Sequence, residues 1–504
     1  SPARHRLPRD FRPIAHALLS LEGRALMLAW LKRSAMVLLL FVAVWVLMLV
    51  YWSSMHHIPT TSDVLLYLLV LPAGFLLGIW LLRKAGAALA AGWVASSAQA
   101  NVSVAATVPA AAPDTSHEQA WTLAILATAL RTPHGDSAEA LATALQSGEA
   151  RLGLDPELKV NGFPVKIGRV PEVDVVACAE RLVAWQAVMG QPIGEWSQEQ
   201  LRALTMAHEV LQEIAPVLAQ HPLLQAYTTA PPAQRGAIPL PTLQLLALWP
   251  SRWTLPERQT ASLWLTHLLE EQGWPAEKML TSALGSSGSA EPLGLIDGVS
   301  VHSHRQAIPC LCVALACESF VSEESVAAWE QAGQLRRDKV DAGQTPGEGA
   351  VCLLLGDAQQ VQQLAELAPA GLHRAALGRR DKSADAVGRI GGALLEQLVQ
   401  QALQVAAAEP AQVSMLVADC DHRRLPELLA LDQSALPDLD MKKQCLKIAA
   451  DCGSTGAVSA LAALAIAHFE VTANAGCVVC VGSQDAFDRA AAVVRPWAAE
   501  ASAA

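Results

Sequence analysis

The hydrophobic pattern divides the chain into two unlike parts. Near the start, Ser34–Trp52 and Val64–Leu82 are uncharged apolar runs, each nineteen residues long. Each is long enough to cross a bilayer as a helix. An Ala-rich stretch follows, and then the pattern alternates. Short apolar, strand-like runs fall at Trp121–Leu130, Leu240–Trp249, Cys310–Cys317, Gly347–Leu355, Val413–Ala418 and, as the last, Gly476–Val481. Between them helical periodicity appears, as at Val176–Met189, Gln198–Leu218, Pro256–Gln272 and Ile390–Ala407. Continuous apolar runs of this length fit strands buried on both faces. Alternation of such strands with helices predicts an α/β layered fold. The expected organisation is a basic segment (1–33), a transmembrane helical hairpin (34–84), an Ala-rich linker (85–117) and a soluble domain (118–498).

Charge sharpens this division. The net charge of the whole chain is -11. Residues 1–84 carry nine Lys/Arg against three Asp/Glu, so the remainder is strongly acidic, which argues against nucleic-acid binding by bulk charge. The link between the apolar runs has no Lys or Arg, whereas Arg24, Lys32 and Arg33 precede the first and Arg83 and Lys84 follow the second. The positive-inside rule then keeps both ends cytoplasmic. Neither run contains an ionisable residue, so transport and proton conduction gain no support and the hairpin reads as an anchor. His56 and His57 in the link are read as solvated. The ten cysteines sit mostly in apolar runs and no CxxC pair is matched by a second, so buried thiols are expected rather than a disulfide framework or a zinc site.

Candidate chemistry concentrates at one junction. A short strand-like run around Leu446 leads into Gly453-Ser454-Thr455-Gly456, and an Ala/Leu-rich helix follows at once. Ser454 or Thr455 is expected to cap that helix. Elsewhere, Val176-Ala177-Cys178-Ala179-Glu180 mimics a nucleophile elbow, and Ser287 and Ser289 offer hydroxyls after a Gly-Ser-rich turn. His302 and His304 alternate on what reads as a strand, with a packing or surface role expected. Trp249, Trp253, Trp264 and Trp274 lie close in sequence. They fill the core or, if some are exposed, form a partner surface within 185–285.

Taken in order, these segments resemble the thiolase-like fold of β-ketoacyl synthases. Residues 123–148 are similar to the first strand, proline-glycine turn and first helix of such an enzyme, and Gly347-Glu348-Gly349-Ala350 to its Gly-Glu-Gly-Ala strand. The Gly453 junction stands where a synthase has a lysine strand and a glycine-histidine turn. The resemblance covers about 123–496 and implies a layered αβαβα domain. It also implies a cysteine nucleophile and two histidines, and these positions depart from the pattern. The elbow, expected at 282–289, has no cysteine. After the strand 413–418 the chain reads Asp419-Cys420-Asp421-His422-Arg423, with His422 displaced, and Ser454 stands where the second histidine would be. The triad is therefore not carried over, and no catalytic, cofactor-binding or metal-binding residue is assigned.

A thiolase-like body without its triad, behind a membrane hairpin, resembles the adaptors of type VI secretion lipase effectors. That resemblance implies a non-catalytic protein at the inner membrane, its soluble domain facing the cytoplasm. Its partners would be a secreted lipase effector and a spike protein. The alternative is an acyltransferase or condensing enzyme acting on acyl-CoA or acyl carrier protein at the membrane. A homodimer is compatible with either, with Cys310–Cys317 apolar enough to be the pairing strand.

Overall fold

A computed structural model describes residues 116–498 apart from 192–193, 287, 338–342, 387 and 389. The expected basic segment and hairpin, the linker up to residue 115, and Ser287 lie outside the described residues. The strands are β1 (Thr122–Arg131), β2 (Gly153–Val160), β3 (Phe163–Ile167), β4 (Leu243–Pro250), β5 (Met279–Ser286), β6 (Leu311–Ser319), β7 (Glu348–Gly356), β8 (Ala370–His373), β9 (Ala376–Arg379), β10 (Val413–Ala418), β11 (Cys445–Lys447), β12 (Cys477–Gly482) and β13 (Asp488–Pro496). The helices of eight residues or more are α1 (Ala138–Ser147), α2 (Val175–Met189), α3 (Gln198–Ala219), α4 (Pro222–Thr229), α5 (Leu255–Glu271), α6 (Glu291–Gln306), α7 (Glu323–Gln331), α8 (Ala393–Val405), α9 (Leu425–Asp432) and α10 (Ala457–Asn474).

Eleven strands form one sheet, in the order β11-β10-β12-β13-β8-β1-β7-β6-β4-β5, with β9 on β13. The sheet folds around its middle. One apolar core joins α10, α1 and α6 to residues of both halves, among them Leu248 of β4, Leu353 of β7, Val417 of β10 and Val478 of β12. A second core packs α2, α3 and α5 on the outside of the β4–β7 half. A third packs α8 and α9 on the outside of the β10–β13 half. The result is the expected αβαβα stack, with the two halves of the one sheet joined through β8.

Local chemistry explains the element ends. Ser137 caps α1 by accepting from the Ala140 amide, and Gly148 closes it in the left-handed region. β6 and β7 run in register over nine residues, every one of them buried, as continuous apolar runs require. Helix α10 is apolar almost all round because the two sheet halves and two helices surround it. Among the described residues it is the one helix long and apolar enough to cross a membrane, and here it is a buried core helix.

Several expectations are corrected. Gly476–Val481 is not the last strand: β13 follows and carries the contact to β8. His302 and His304 lie on helix α6, where the His304 ring stacks on Trp121. β6, expected as the dimer strand, is interior, flanked by β4 and β7, so it cannot pair with a second copy. The free edge on that side of the sheet is β5. Trp249, Trp253, Trp264 and Trp274 are all buried, so none of them is a partner surface.

Candidate active site

Three segments singled out in the sequence converge with a fourth that was not. β5 ends at Ser286, and 288–290 lead into α6. The amides of Ser289, just before the cap, and of Ala290, the N-cap of this helix, both reach Asp485 Oδ2 at 3.1 Å. A carboxylate there answers the unsatisfied amides and the positive end of a sixteen-residue helix. Gly288 makes room for it: a Cβ at that position would lie 2.7 Å from Asp485 Oδ2. Ser286 Oγ donates to Glu291 Oε2 at 2.7 Å and ties the strand end to the first helical turn.

Asp419, fully buried at the end of β10, faces the same point. Its Oδ1 accepts from the Ser483 amide at 2.8 Å and its Oδ2 from the Gln484 amide at 3.3 Å. Burial pushes its carboxyl up to about 6, against the Ser289 hydroxyl and the two amides that favour the charge; the charge of Asp485 adds to the rise. The Ser289 hydroxyl is buried and faces Asp419 without reaching full hydrogen-bonding geometry. Ser289 thus sits at a helix start, between a carboxylate on its amide and a second, raised carboxyl beside its hydroxyl.

The Gly453 junction is tied to the Asp419 segment indirectly, through Gln344, Arg423 and Asp421. Gly453 has φ +83, and the Ser454 amide donates to Thr345 O at 2.8 Å. With its side-chain amide turned so that both ends are satisfied, Gln344 donates to Ser454 Oγ at 3.1 Å and accepts from the Arg423 guanidinium at 2.9 Å. Arg423 in turn pairs with Asp421 at 2.9 Å. Neither Ser454 nor Thr455 caps α10, whose N-cap is Gly456; Thr455 Oγ1 instead lies 2.7 Å from Ser459 Oγ. The run before the junction is also shorter than a strand reading gives, because β11 ends at Lys447 and a helical turn spans Ile448–Cys452.

Other candidates fall away. Cys178 is fully buried on the inner face of α2, and burial raises its thiol, the reverse of what a nucleophile needs. All ten cysteines are free and buried. Among the described residues no group of three or more His, Cys, Asp or Glu could hold a metal ion. The residue that sequence reasoning missed is Asp485. Its signal is thin: a polar Ser483-Gln484-Asp485 triplet that directly follows an apolar strand.

Comparison with known proteins places this geometry on a known scaffold. No protein-family model matches the chain, and no curated protein matches it in sequence. Solved structures do. A ketosynthase from module 6 of the bacillaene synthase of Bacillus subtilis 168 superposes with a TM-score of 0.51 at 12% identity, over 75% of this chain and 72% of that one. A ketosynthase from module 1 of the bacillaene synthase of Bacillus amyloliquefaciens FZB42 gives 0.50 at 13%, over 78% and 75%. The chain therefore has the ketosynthase, thiolase-like fold. The expectation that it is not an enzyme is corrected by this finding: its structural neighbours are ketosynthases, and departures read at such identity do not establish a loss of chemistry.

Proposed function

We propose that this protein is an adaptor that binds a secreted lipase effector and assists its loading onto a secretion spike. In this reading the two N-terminal apolar runs anchor it in the inner membrane, with the ketosynthase-fold body on the cytoplasmic side. The observation that carries the binding role is the outer face of α2. Val176, Val183, Ala184, Ala187 and Val188 project from it, with Val176 69% and Val188 84% exposed. The opposite face, Cys178, Leu182 and Trp185, is in the core. Exposed β-branched residues in one helical arc fit a helix-in-groove or helix-on-surface contact. This surface overlaps the expected 185–285 region only at its start, and it uses no tryptophan.

The test is affinity capture of the full chain from its own host, with and without Val183→Glu and Val188→Glu. Recovery of a lipase effector or spike protein, reduced about tenfold or more by the double variant at unchanged thermal stability, supports the reading. Equal recovery by both proteins removes α2 from it, and the absence of any such partner removes the adaptor role.

A second reading is favoured by Ser289. An acyl thioester would react at its Oγ: the oxygen–carbonyl bond forms, the carbon–sulfur bond breaks, Asp419 takes the hydroxyl proton and passes it to the leaving thiolate. The Ser289 and Ala290 amides would hold the developing oxyanion once Asp485 withdraws. Incubation with acyl-CoA and with acyl carrier protein, followed by intact mass, should show one acyl adduct that Ser289→Ala abolishes. A spectrum without any adduct sinks this reading.

A further inference from the structure

The β2–β3 hairpin is a separate two-stranded sheet, and it differs in character from the rest of the body. Asn161 and Gly162 both have positive φ, as the tight turn between its strands demands. One face is anchored: Leu158, Val165 and Ile167 pack on Val321 and Val326. The other face is solvent-exposed and pairs Leu154 with Lys166 and Lys159 with Pro164. Leu154 on this face is 61% exposed; Phe163, 76% exposed just past the turn, alternates with Val165 and Ile167 on the other side. At the base of the hairpin lies a cavity of about 220 Å³, lined among others by His134, Arg151, Leu154 and Arg169.

The charges here run against the acidic body. Arg169 is neutralised by Asp155 at 2.6 Å and Glu157 at 3.2 Å. Among the described residues, Arg151, Lys159 and Lys166 take part in no such ion pair. Three exposed cations therefore lie around an exposed leucine, an exposed proline and a cavity lined by Arg151 and the Arg169–Asp155 pair.

We infer that this hairpin face docks on an anionic phospholipid surface, with Leu154 and Pro164 entering the interface, Lys159 and Lys166 beside headgroups, and a lipid phosphate at Arg151 in the cavity. Two arguments favour lipid over a protein partner. Lysine is depleted in protein interfaces, whereas lysine beside exposed apolar side chains is the arrangement that binds anionic membranes. Each such cation strengthens binding to an anionic surface about fivefold. The inference rests on the membrane-tethered reading, because a face this small gains occupancy from a tether.

The test is amide hydrogen exchange of the full chain in nanodiscs of phosphatidylcholine alone and with about a third phosphatidylglycerol. Anionic discs are expected to slow exchange across 151–167 at least fivefold while leaving β6 and β7 unchanged. Lys159→Glu with Lys166→Glu should abolish that protection, and Leu154→Ser should reduce it. Equal exchange in the two discs overturns the inference. So does protection produced in phosphatidylcholine discs by inorganic phosphate alone, which would make the cavity a phosphate site and not a lipid-docking face. Failure of the chain to enter discs of either composition counts against the tether, and adding preformed anionic vesicles to that protein then tests the hairpin by itself.

Discussion

Asp419 shows how a single residue is decided by its surroundings. In the sequence it is one acid in an Asp-Cys-Asp-His run. In the structure it is fully buried beside Ser289 and near Asp485, and its carboxyl is pushed up to about 6 from an ordinary 3.8. The folded protein then holds a proton that the unfolded chain has already released, so stability falls as pH rises from about 4 through about 6. A rise of this size corresponds to about 3 kcal/mol. Asp419→Asn removes the titration, so its stability relative to wild type should improve by about that amount between pH 4 and pH 7, read from urea unfolding at both. Glu318, raised to about 7 by burial despite Arg252, contributes in the same direction in both proteins and cancels in the difference. A parallel pair of profiles would show that Asp419 does not titrate in this window.

At the scale of elements, the Gly453 junction carries the clearest consequence. It joins the turn Ile448–Cys452 to α10 and crosses the start of β7 at close range. A Cβ on Gly453 would meet Pro346 O at 2.6 Å and Gly347 Cα at 2.9 Å, both backbone, at φ +83. Gly453→Ala should therefore cost about 3 kcal/mol or more, measured by chemical denaturation, with the far-ultraviolet circular dichroism retained. A loss under 1 kcal/mol would show that the crossing relaxes. The glycine pattern marked this junction in the sequence, because tight turns before apolar helices leave such a trace. The capping partner was not legible. Thr455 turns to Ser459, a choice set by the packing of α10 rather than by local propensity. The same limit explains His302 and His304: alternating polar residues over a few positions fit a strand or one side of a helix turn equally well. It also explains β13, whose run Ala490–Val494 is short and Ala-rich, so that its pattern is weak until β12 and β8 flank it.

For the whole molecule, the five layers follow from two facts about patterning. Strands β6 and β7 are buried at every residue and helix α10 is apolar almost all round, so each must be covered on every side, and a single sheet with helices on one face cannot do that. The sequence by itself determined this much: a layered α/β body behind two apolar runs, its buried strands, its buried thiols and the glycine junction. Periodicity and composition record how much of each element is covered. Only the tertiary structure decided the rest. It joined the sheet halves through β8, placed β6 in the interior, and buried the four tryptophans. It brought Asp485 onto the amides of Ser289 and Ala290 across 195 residues of chain. It also left α2 and the β2–β3 hairpin with apolar side chains facing outward. The reason is that pattern reports the degree of burial but not the partner. Which surfaces meet is set by how the strands order themselves in the sheet, and no local stretch of sequence contains that order.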